Sequence, residues 1–242
     1  MAEAHKKHLG LGIVLSISFL AVLILIFLPI FPKTPEGKSQ NGLAFADRMF
    51  NELSKGSSYF IPKIKKDNEK FMGRAFEVTI KTDKPEDAEK AAGLFNTAGA
   101  HAEVQGTEIM VKGDLGALVA AVLNDTDAMY NNEGSRVSSL YGYAEKDVMK
   151  NWWQALSKMA KTLTKEKKLE EAKLIDSLNK KAIETSYNFY GISAQKVSDH
   201  AVLMTGLLVF YVAYTMWWGF AIFYIFEGIG LTMKKSKVKK EV

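Results

Sequence analysis

The stretch AFEVTIKTDKPEDAEKAAGLFNTAGAHAEVQGTEIMVKGDLGALVAAVLNDTDAM, residues 75–129, decides how the middle of the chain folds. Ala75 to Lys81 alternates apolar and polar residues and is rich in strand formers, the period-two signature of a half-buried strand. Asp83-Lys84-Pro85-Glu86-Asp87 then combines a cap residue, an early proline and first-turn acids, the chemistry of a helix start. That helix sets Ala88, Ala91, Ala92, Phe95 and Ala98 on one face and stops at Gly99. His101 to Gln105 and Glu108 to Lys112 read as two strands about a Gly106-Thr107 turn. Asp114 is placed to cap a second helix with the stripe Leu115, Leu118, Val119, Val122, Leu123 and Met129.

A fourth strand is expected over Arg136 to Tyr143. The order βαββαβ is that of a ferredoxin-like sandwich, in which two helices cover one face of an antiparallel sheet, and 74–143 is expected to form that domain. This superfold hosts unrelated activities and by itself implies none. Upstream, 33–73 holds a juxtamembrane amphipathic helix, with Leu43, Phe45, Ala46, Met49, Phe50 and Leu53 on one stripe and Gly56 at its end, then a loop packed on its own domain. Downstream, 144–192 is purely helical in period. Its stripes, Val148 to Leu163 and Leu169 to Ala182, are separated at Lys165-Glu166-Lys167-Lys168, which predicts a helical hairpin. Trp152 and Trp153 are adjacent and therefore point in different directions around the helix.

The two ends of the chain are apolar. Leu9 to Phe31 has no charged residue, and Ala201 to Met233 has one, Glu227. A helix needs about 20 residues to cross a hydrocarbon layer of roughly 30 Å, and both runs exceed that. The first, 9–31, is read as an uncleaved anchor, because it outlasts the core of a secretory leader (about 7–15 residues) and no small-x-small cleavage site follows. The second is expected as a helix unbroken from the outer domain, a stalk over 194–233 that continues into the membrane.

Charge sets the orientation, since short Lys- and Arg-rich flanks stay on the cytoplasmic side. The tail 1–8 holds Lys6 and Lys7 with Glu3, and the tail 234–242 holds five lysines with Glu241, so the formal net charge of +5 resides in the tails. The expected arrangement has both termini in the cytoplasm and residues 33–200 periplasmic or extracellular, in a cell (inner) membrane. The basic excess is thus a topological signal, and no nucleic-acid partner is expected.

No cysteine is present, which removes disulfides, thiolate zinc sites, c-type haem attachment and iron–sulfur ligation together. No phosphate-binding glycine loop, zinc-protease helix or nucleophile elbow occurs, so no catalytic residue, cofactor or resident metal is expected. His200, at the outer mouth of the second span, would ligate a haem or metal only with help from another subunit. The second span is far more aromatic than an anchor requires. Tyr211, Tyr214, Trp217 and Trp218, with the notch at Gly219 and the carboxyl of Glu227, are the candidate contacts to a partner or to lipid.

The expected function is a non-catalytic accessory or structural subunit of a larger inner-membrane complex, energy-converting or transport, whose partners are other membrane protein subunits and the bilayer. A ligand sensor is a further reading, with tails too short for an output domain. The succession of span, outer α/β domain, helical extension and span is also similar to that of the polysaccharide co-polymerases. That resemblance implies a homo-oligomeric envelope scaffold, although the proline-rich motif near their second span is absent here.

Overall fold

The computed structural model describes residues 2–231 and resolves into two compact units, Met1–Phe50 with Lys196–Val242, and Asn51–Gln195. The basic tail 234–242 and the last two residues expected in the second span lie outside the described residues.

In the first unit, helix α1 runs over Ala2–Phe27, through the basic tail and most of the apolar run. It stops four residues short of the expected Phe31, because Pro29 drives Leu28 out of helical conformation. A tight loop comes next, in which Phe31 bridges Gln40 and Thr34 turns back through Gly37 and Lys38. Asn41 starts α2, Gly42–Ser57, by accepting the N–H of Ala44 at 2.9 Å. The last helix among the described residues, α10, spans Ala201–Gly228.

Helices α1 and α10 are long and apolar enough to cross a membrane. They pack antiparallel, and their backbones approach most closely at two glycines. A Cβ on Gly12 would lie 2.7 Å from the nitrogen of Ile225, and one on Gly228 would lie 2.6 Å from the Cα of Leu9.

The expected unbroken stalk is not formed. Residues 193–196 are irregular, Val197–His200 make one 3-10 turn, and α10 begins only at Ala201. The backbone N–H of Gln195, which a capping side chain at Ser193 would otherwise accept, donates to the carbonyl of Glu52 at 3.0 Å.

The second unit is mostly helical around a small sheet. After the end of α2, helix α3, Ile61–Asn68, forms with Pro62 in its first turn, where a loop is expected from the sequence. Next come β1 (Ala75–Lys81), α4 (Pro85–Thr97), β2 (His101–Gln105), β3 (Glu108–Asp114) and α5 (Leu115–Tyr130). Asp114 caps α5 through Ala117 at 3.1 Å and also accepts the N–H of Gly73. The sheet is antiparallel with order β1-β3-β2, and Val78, Val111 and Ala102 share one register row on the buried face.

The fourth strand is absent, so the ferredoxin-like sandwich is not completed. Residues Gly134–Tyr141 form helix α6 instead, ended by Gly142 in the left-handed conformation (φ 81°). The β1 edge that a fourth strand would pair with is taken by the next helix, α7 (Glu145–Lys165). Thr162, near its end, donates to the carbonyl of Thr79, and Lys168 just beyond donates to that of Glu77. After a turn at Glu166–Lys168 come α8 (Leu169–Leu178), a single π-turn (Asn179–Ile183) and α9 (Glu184–Phe189).

One continuous core joins the buried sheet face to these helices, and Trp152 stands in it edge-on to Phe95 at 5.5 Å. Full burial of each large apolar side chain there contributes about 2 kcal/mol. Gly56, expected to end α2, lies inside its last turn, where a Cβ would collide with the carbonyl of Gln195. Beside it in the same turn, Lys55 is 2% exposed and donates to Asn132 Oδ1 (3.2 Å) and to the carbonyls of Phe189 (3.1 Å) and Ile192 (2.6 Å). These three bonds use every donor of the ammonium, and Phe189 ends α9, where exposed carbonyls favour a cation. Burial holds the Lys55 pKa below the ordinary lysine value.

Candidate binding groove

Two cavities lie side by side on the second unit and share Trp153 and Lys150. The larger, about 760 Å³, is a groove between the first turns of α4 and one side of α7. On α7 the spacing Lys150, Gln154, Lys158, Lys161 keeps four long polar side chains on one stripe. Facing them are Asp83, Asp87 and Lys90, while Tyr143 and Asp147 close one end. Lys158 is drawn across the groove to Asp83 at 3.1 Å. Lys90, Lys150 and Lys161 make no ion pair among the described residues.

The smaller cavity, about 320 Å³, is apolar and is formed by Met149, Trp153, Ile183 and Tyr187, with Glu184 at its edge. Trp153 is 42% exposed, and its indole N–H is fixed by Glu184 Oε1 at 2.8 Å. Behind it, Asn179 in the π-turn donates to Ser157 Oγ (3.0 Å) and to the carbonyl of Trp153 (3.4 Å). The buried Oδ1 of Asn179 has no partner among the described residues. A π-turn inserts one extra residue into a helix; its last residue here, Ile183, lines the small cavity, and Glu184 just beyond it accepts from Trp153.

A second polar cluster is internal. Asp125 Oδ2 accepts from the Tyr141 hydroxyl (2.6 Å) and from the Trp152 indole (3.2 Å). Burial pushes the Asp125 carboxyl above the usual carboxylate range, and the two donors oppose that rise. Burial, with the Asp125 charge, raises Tyr141 strongly. Near α3, Tyr59 donates to Asp127 at 2.7 Å, and burial, then that hydrogen bond, pushes it up to about 12. The Asp125 cluster is closed on itself, whereas the Tyr59–Asp127 pair lies at the surface.

The residues singled out in the second span separate into two sets. Tyr214 stacks on Phe19 at 4.1 Å and its hydroxyl donates to the Phe19 carbonyl. Trp217 donates to the carbonyl of Leu15 at 3.1 Å, and Trp218 lies 4.7 Å from the Phe19 ring. These three serve the pairing of α10 with α1. Tyr211 is 68% exposed, and a Cβ on Gly219 would meet open space.

Glu227 gives its carbonyl to His5 Nδ1 at 2.7 Å, and its carboxyl makes no ion pair among the described residues. His200 ends the 3-10 turn before α10. No group of three or more His, Cys, Asp or Glu that could hold a metal ion occurs among the described residues.

The groove is not legible in the sequence, because its lysines and aspartates sit on the polar sides of amphipathic helices, where charge ordinarily meets water. The one available signal is Trp153, a large apolar residue beside the stripe that buries Trp152. No protein-family model, no curated protein and no solved structure matches the chain.

Proposed function

We propose that this protein is a non-catalytic accessory subunit of a larger membrane complex, held by α1 and α10 as a two-helix anchor and presenting residues 51–195 as a recognition domain. In this reading both termini are cytoplasmic and 33–200 faces the periplasm or the cell exterior. The antiparallel pairing of α1 with α10 supports the orientation, since it sets Leu9 beside Gly228, and so do the lysines of both tails.

The observation that carries the subunit reading is Trp153. A half-exposed tryptophan over an apolar pocket, with a rim of charged side chains, has the anatomy of a protein interface, where aromatic anchors are surrounded by polar residues. The test is native electrophoresis of the protein extracted in mild detergent from its own membrane. Migration within an assembly that contains other membrane proteins is expected, and migration as a lone 26.9 kDa chain sinks the proposal.

A further inference from the structure

The groove and its apolar pocket specify more than a generic contact. We infer that they dock an extended segment of a partner protein in which an aliphatic or aromatic anchor residue has a carboxylate close to it in sequence. This deepens the subunit reading above and rests on it. The anchor fills the cavity formed by Met149, Ile183 and Tyr187 and lies against the exposed face of Trp153.

The neighbouring charge is dictated by Lys150. It is the one lysine that lines both cavities, and it makes no ion pair among the described residues. Glu184, the carboxylate at the pocket edge, is already engaged by the Trp153 indole. A carboxylate beside the anchor therefore meets an available ammonium, and Lys90 and Lys161 extend the same attraction along the groove. Asp147, one turn from Lys150 on α7, and Asp87 opposite also line it, so a basic residue on the Asp147 side of the anchor is suited as well.

Length separates a protein segment from a small molecule. Asp147 to Lys161 covers about 21 Å of helix at 1.5 Å per residue, the reach of about six extended residues. A free carboxylate with a short apolar tail would engage only the pocket and Lys150, leaving the rest of the groove unused.

The full chain in lipid nanodiscs is titrated with a fluorescein-labelled, terminally blocked octapeptide holding one Phe between two Glu, and anisotropy is monitored. Saturable binding is expected, with exchange of Glu for Lys or of Phe for Gly weakening it about tenfold or more. Trp153→Ala and Lys150→Glu weaken it to a similar extent at unchanged melting temperature, and Leu140→Ala, on exposed α6 surface, leaves it unaltered.

The assignment is overturned if the Glu-Phe-Glu probe does not saturate, if its lysine counterpart binds equally well, or if Trp153→Ala has no effect. Saturation by hexanoate without binding of the peptide overturns it in favour of a small amphiphile. In native electrophoresis, an assembly that survives both substitutions overturns the docking site and leaves the subunit reading intact. A wild-type protein that migrates alone overturns the subunit reading itself.

Discussion

The chain contains two pairs of adjacent tryptophans, Trp152-Trp153 on α7 and Trp217-Trp218 on α10, and they satisfy the same chemical need differently. An indole N–H taken from water needs an acceptor. On α7 the acceptors are carboxylates, Asp125 for the buried Trp152 and Glu184 for the exposed Trp153. On α10, Trp217 uses the carbonyl of Leu15. Tyr214 does the same at Phe19. A helix carbonyl has a second lone pair beyond the one spent on its own N–H four residues on, so an apolar helix still offers acceptors to a neighbour. For these indoles the acceptor is thus a side chain in the mixed unit and the backbone in the apolar one.

This contrast is open to attack in order of size. Trp152→Ala removes a fully buried ring and one of the two donors to Asp125, so a loss of about 3–5 kcal/mol is expected in chemical denaturation monitored by near-ultraviolet dichroism. Asp125→Leu leaves the Tyr141 hydroxyl and the Trp152 indole without an acceptor and costs about 2–3 kcal/mol in the same measurement. A cost as small as that of an ordinary surface change would mean that the buried network contributes nothing.

Asp125→Asn sharpens the point through pH. Because the folded protein raises this carboxyl, its contribution to stability is full below 3.8 and is lost as pH rises through the raised value. The Asn variant keeps both acceptor bonds and has no such loss. Its melting temperature should gain on wild type as pH rises from about 4 to about 7, and parallel melting curves for the two proteins would refute the assignment.

Trp217→Phe tests the backbone side of the comparison. Loss of one hydrogen bond inside an apolar helix pair is expected to cost about 0.6 kcal/mol in detergent-based unfolding, well below the carboxylate case. Trp153→Ala, at an exposed position, should change stability by less than about 0.5 kcal/mol, so that any loss of assembly seen with it reports on binding.

Local patterns made much of this legible. Hydropathy marked α1 and α10, alternation marked β1, and the Asp114 cap and Leu115–Met129 stripe marked α5. The errors fall where distant residues decide. Arg136 to Tyr143 carries strand formers, yet α7 occupies the β1 edge that such a strand would pair with, and Gly142 ends a helix there. The stalk is interrupted where Gln195 is tied to Glu52, far back in the chain, a contact that no local pattern announces.

Among the span residues, composition picked out Tyr211, Tyr214, Trp217 and Trp218 alike. Only the packing of α1 separates those it covers from Tyr211. The groove required knowing that α4 lies opposite the Lys150–Lys161 side of α7, which no period within either helix can reveal.

The bonds from Lys55 to Phe189 and Ile192, together with that from Gln195 to Glu52, bring the first and last turns of residues 51–195 within one hydrogen bond of each other. A domain that begins and ends at the same point is, in genetic terms, a cassette. It can be lifted out and its place taken by a linker of a few residues without lengthening the path of the chain. By the same closure it can be grafted into an exposed loop of an unrelated scaffold, carrying the Trp153 groove with it.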